Sequence, residues 1–100
     1  MDAMAVTNLF SAALRQIDDA IDHALNAKCR AGISRELFDV VDVLYTTHWN
    51  QLQCWLDRLT YDQMRNVEEC KDIEAVKKEF EQRRVLIYGS EGLENHINCQ

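Results

Sequence analysis

Along the first third of the chain, apolar side chains return at steps of three and four: Val6, Leu9, Phe10, Ala13, Leu14, Ile17, Ile21, Ala24 and Leu25. That spacing lines one face of an α-helix, and Arg15, Asp18, Asp19 and Asp22 fall on its polar side. The pattern predicts a first helix from about Thr7 to about Lys28, stopped by Gly32, which can enter the left-handed conformation without a Cβ clash. Ser34 then offers a hydroxyl oxygen as the N-cap of a second helix, and Ile33 is placed to pack on Phe38 as a hydrophobic staple.

The second helix is expected from about Arg35 to about Leu59. Turning each residue by about 100° gathers Leu37, Phe38, Val41, Leu44, Tyr45, His48, Trp49, Leu52, Trp55, Leu56 and Leu59 in one sector about 140° wide. An ordinary surface helix carries a stripe of about 100°. So wide a face implies contact with two neighbours, or with one neighbour and a second chain. Both tryptophans lie on this helix, which is therefore expected to form the centre of the core.

Neither Gly nor Pro marks the end of that helix, but Thr60 and Gln63 spell a capping box, and Leu59 with Met64 fits the accompanying staple. An unbroken helix from Arg35 to Tyr88 would run ~80 Å, and a first helix of ~33 Å could not cover it. A third helix is accordingly predicted over about 61–88, with Met64, Val67, Cys70, Ile73, Val76, Phe80 and Ile87 as its stripe and Gly89 as its C-cap. The tail 89–100 reads as partly flexible, although Leu93 and Ile97, four apart, suit one amphipathic turn that docks on the helices or on a partner. The fold class that follows is all-α: one domain over 1–100, an antiparallel three-helix bundle, or four-helix if the tail contributes, that dimerises.

Composition narrows the class. There is no proline, 47% of side chains are hydrophobic and 28% are charged, which excludes a disordered tail or a collagen-like repeat. Seventeen acidic against eleven basic residues give a formal charge of −6, which disfavours nucleic acid and anionic membrane surfaces as direct partners. Lys77, Lys78, Arg83 and Arg84 alternate with Glu74, Glu79 and Glu81 and read as a solvated, ion-paired helix face. With no signal-like leader and no apolar run near ~18 residues, the chain reads as cytoplasmic, and Cys29, Cys54, Cys70 and Cys99 as free thiols.

Patterns that could carry chemistry are few. Asp18, Asp19 and Asp22 form D-D-x-x-D, a spacing that holds magnesium and diphosphate in helical isoprenoid synthases, but a hundred residues cannot enclose the cavity that chemistry needs. Asp19 and His23 are spaced for a carboxylate–imidazole pair, yet no nucleophile or oxyanion donor accompanies them. His48 sits in the apolar sector and reads as a core histidine bonded to an acceptor. His96 and Cys99 are too few for a zinc site. No metal, cofactor or catalytic residue is expected.

Cys54 differs from the rest, because it turns away from the apolar sector among Thr47, Asn50 and Asp57. Either a neighbouring helix or chain covers it, or it is an accessible thiol; Val40 and Val43, also off the sector, favour cover. These features imply a non-catalytic interaction module, a small regulator or inhibitor of the antiactivator or phage-inhibitor kind. It would occlude a protein target such as a transcription regulator, acting as a homodimer. Phe38, Tyr45, Trp49, Leu56 and Cys54 are the expected partner-binding residues, since aromatic side chains dominate interface energetics. The alternative is a secretion chaperone or a small structural subunit of a larger assembly.

Overall fold

A computed structural model describes residues 3–59 and 67–97, with side chains placed over 7–58 and 71–97. Three α-helices are described: α1 (Ala3–Asn26), α2 (Arg35–Leu59) and α3 (Val67–Tyr88), followed by a short 3-10 turn, Leu93–His96. The protein is all-α, with two isolated backbone bridges and no strand among the described residues. The first helix starts at Ala3 rather than near Thr7 and ends at Asn26. The capping box at Thr60 and Gln63, and the predicted start of the third helix near 61, lie outside the described residues.

Local chemistry sets the α1–α2 junction. Cys29 and Gly32 exchange backbone hydrogen bonds of 3.3 and 2.9 Å, and Gly32 adopts φ 106°, a conformation that suits glycine because it has no Cβ. Ser34 caps α2, its Oγ accepting the Leu37 N–H at 3.2 Å, so one orphan donor of the first turn is satisfied. Ile33 is wholly buried beside this cap, in the same core cluster as Phe38.

Packing follows the apolar stripes. Phe10, near the start of α1, meets Trp55, near the end of α2, with ring centroids 6.4 Å apart. Phe38, near the start of α2, meets Tyr88 at the end of α3 at 6.2 Å. Ile17, Ile33, Phe80 and Ile87 have no exposed surface, and burial of each such side chain stabilises the fold by about 1.5–3 kcal/mol. The molecule measures 51 × 20 × 17 Å. That thickness is about two helix diameters, so the helices retain outward faces.

On α3 the inward stripe runs Ile73, Val76, Phe80 and Ile87, and Arg83 occupies the step between the last two. Its guanidinium reaches across to Asp18 of α1, donating from Nε at 2.8 Å and from Nη2 at 3.0 Å, and it also bonds Glu79 one turn earlier. The expectation of a solvated face thus fails at Arg83, whose side chain is 19% exposed. A basic residue on an inward stripe needs a carboxylate from the facing helix, and the bidentate pair supplies it.

α3 ends at Tyr88, so Gly89 takes the expected C-cap position. Gly89 does not adopt the left-handed cap conformation, since Gly32 alone among the described glycines has a positive φ. Its N–H continues the helix, donating to the Val85 carbonyl at 2.8 Å, and a Cβ there would lie 2.4 Å from that same oxygen. The chain then folds back so that Leu93 is buried and the Ile33 N–H donates to the His96 carbonyl at 2.6 Å. The described part of the tail therefore straps the α1–α2 junction.

Candidate partner-binding surface

The aromatic edge of α2 is built from the core outward. Tyr45 is 3% exposed and donates its hydroxyl to the Phe80 carbonyl at 2.9 Å; burial pushes its phenol up to about 12. Tyr88 donates to the Asp42 carboxylate, and burial, then that hydrogen bond, raises it likewise to about 12. Around them, Tyr45 stacks on Trp49 with planes 10° apart and centroids at 6.2 Å, and Phe38 stands edge-on to Tyr88.

This arrangement divides the five expected partner-binding residues. Phe38 and Tyr45 are core side chains and present almost no surface to a partner. Broad helical sectors do not distinguish the middle of a face from its rim, and these two fall in the middle once α3 packs on them. Trp49 and Leu56 are half-buried at the edge of the core, and the Arg84 guanidinium lies 6.0 Å from the Trp49 ring centroid, within cation–π range. Cys54 is exposed. It borders an open hollow of about 420 Å³ between α1 and α2, with Leu9, Phe10, Trp55 and Arg58.

A second apolar surface was only marginal in the sequence. Val40 and Val43 are 59% and 63% exposed, and with Leu44, Thr47 and His48 they line a shallow trough on the outside of α2. The signal was present in their position outside the main sector, but two valines among polar neighbours do not stand out in periodicity. Leu9, Leu25, Val85 and Leu86 are further exposed aliphatic side chains.

The candidate chemistry dissolves into structure. Asp18 is held by Arg83, while Asp19 and Asp22 are exposed on α1. His48 is half-buried, and its Nε2 lies 3.3 Å from Gln16 Oε1. Hydrogen bonding to Asp18, chiefly, raises Arg83 above its ordinary value. Among the described residues no group of three or more His, Cys, Asp or Glu side chains is arranged to hold a metal ion, and no helix is long and apolar enough to cross a membrane. The chain matches no protein-family model, and no curated protein or solved structure is significantly similar to it.

Proposed function

We propose that this chain is a non-catalytic interaction module, a small cytoplasmic regulator or inhibitor that binds and occludes a protein target, such as a transcription regulator, and that works as a homodimer of antiparallel three-helix bundles. One observation carries the reading: apolar and aromatic side chains are exposed or half-exposed beyond a core that is already closed, from Trp49 and Leu56 on one side to Val40 and Val43 on the other. Trp49, stacked on Tyr45 and close to Arg84, is a rigid anchor of the kind that concentrates binding energy. The Tyr45 phenol, bonded to the Phe80 carbonyl, and the Arg83–Asp18 bridge join helices to one another.

Trp49→Ala tests this. The variant should fold, with its helical circular dichroism retained, and should lose repression or inhibition of the target in cells that express both. Retained function in a folded Trp49→Ala variant refutes the assignment of the surface. The alternative, a secretion chaperone or structural subunit, draws support from the same exposed aliphatic residues. It predicts a chain that aggregates when expressed alone, whereas a regulator should remain dispersed.

A further inference from the structure

The outer side of α2 carries a second stripe, opposite the one that builds the core. Glu36, Val40, Val43, Thr47, Asn50, Cys54 and Arg58 follow one another at steps of three and four, and all are exposed. Turned by 100° per residue, they stay within about 80° of helix surface. Thr47 donates its hydroxyl to the Val43 carbonyl of its own helix at 2.7 Å, so that donor is satisfied within the helix. The stripe thus has two valines in its amino-terminal half, Thr47 at its centre, Asn50 and Cys54 beyond it, one acid at its amino end and one base at its carboxy end.

That arrangement is complementary to itself. Glu36 and Arg58 stand equally far from Thr47, so a second copy laid antiparallel across Thr47 brings each Arg58 to the other copy's Glu36. The same operation packs Val40 and Val43 of each copy on the Asn50–Cys54 end of the other. Asp39 and Asp57 flank the stripe rather than lie in it, and Asp39 is already met by Arg35 at 3.7 Å. An isologous interface requires this kind of match between one patch and itself, and a two-fold dimer is the commonest way proteins satisfy it.

We infer that the occupant of this face is a second copy of the chain, paired α2 to α2 antiparallel about Thr47. The inference rests on the homodimer reading above and names its interface. The Trp49 edge, on the other side of α2, stays free for the target.

Cysteine pairing tests the geometry. With Cys29, Cys70 and Cys99 changed to Ser, Val40→Cys should link to the native Cys54 of the other copy under oxidised glutathione, giving a covalent dimer on a non-reducing gel. Within one chain the two positions are ~21 Å apart along the helix, far beyond the ~7 Å limit for a disulfide, so the link can only be intermolecular. Leu86→Cys in the same background should not link. Sedimentation should give a dimer for the unmodified chain and a monomer, with unchanged helical content, for Val43→Glu. Glu36→Arg should weaken the dimer several-fold, and adding Arg58→Glu should restore it. A monomer for the unmodified chain up to millimolar concentration overturns both the dimer and this interface. A dimer that survives Val43→Glu without the Val40→Cys link overturns the interface and leaves the dimer reading standing.

Discussion

The two faces of α2 share a spacing and differ in what covers them. Phe38, Val41, Tyr45 and Leu52 on the inner face are buried in one core cluster with residues of α1 and α3. Val40 and Val43, one to two residues away in sequence, stand in the open. The inner stripe is apolar along its length, whereas the outer one sets two valines and a cysteine among polar residues. The neighbours differ as well: the inner face meets Phe80 and Tyr88, while Val40 and Val43 on the outer one stay exposed and its carboxy end borders the open hollow beside Leu9. Apolar periodicity therefore identifies the face that is buried, while exposed aliphatic residues off that face emerge only once the helices are packed.

Substitutions should separate the faces by size of effect. The largest is expected at Phe80→Ala, which empties a site with no exposure and should lower stability by about 3–5 kcal/mol; a loss below 1 kcal/mol in urea titration would break the distinction. Arg83→Ala comes next. It removes both bonds to Asp18 and should cost about 1–3 kcal/mol, whereas Arg83→Lys should recover only part of this because the bidentate fork is lost.

Tyr45→Phe is smaller, about 1 kcal/mol from the hydroxyl bond to the Phe80 carbonyl, but it carries a pH signature. The fold holds the Tyr45 and Tyr88 phenols up to about 12, against about 10 in the unfolded chain. Above pH 10 the unfolded state gives up protons that the folded state retains, so their contribution is whole below pH 10 and is lost as pH rises toward 12. Urea midpoints measured across that window should fall in the parent and fall less in Tyr45→Phe with Tyr88→Phe. The smallest effect belongs to the outer face: Val43→Ser should change the stability of a dilute sample by less than about 0.5 kcal/mol, and a larger loss would make that face part of the core.

Much of the helical plan was legible in the sequence. The 3.6-residue period of α1 and the Gly32–Ile33–Ser34 punctuation located the first junction, because caps and turns depend on single residues and their immediate backbone. Arg83 was not legible. Its partner Asp18 is distant in sequence, and neither residue announces the other without the helix crossing that joins them. Gly89 was legible as the end of α3, but the steric reason for a glycine there, the Val85 carbonyl, was not. For the candidate surface, the broad sector of α2 did not separate the middle of the face, where Phe38 and Tyr45 are buried, from its rim, where Trp49 and Leu56 are half-buried.

The strap between the Ile33 amide and the His96 carbonyl encloses all of α2 and α3 in one loop. Closing so long a loop is favourable only after both helices already lie in place, since its entropy must be offset by contacts made beforehand. Formation of the strap is then a late event in folding, and its release an early one in opening. The buried Ile33 N–H should exchange with deuterium when the strap detaches, before the amides beneath Phe80 and Ile17 do, so one proton reports a partial opening that global unfolding measurements would miss.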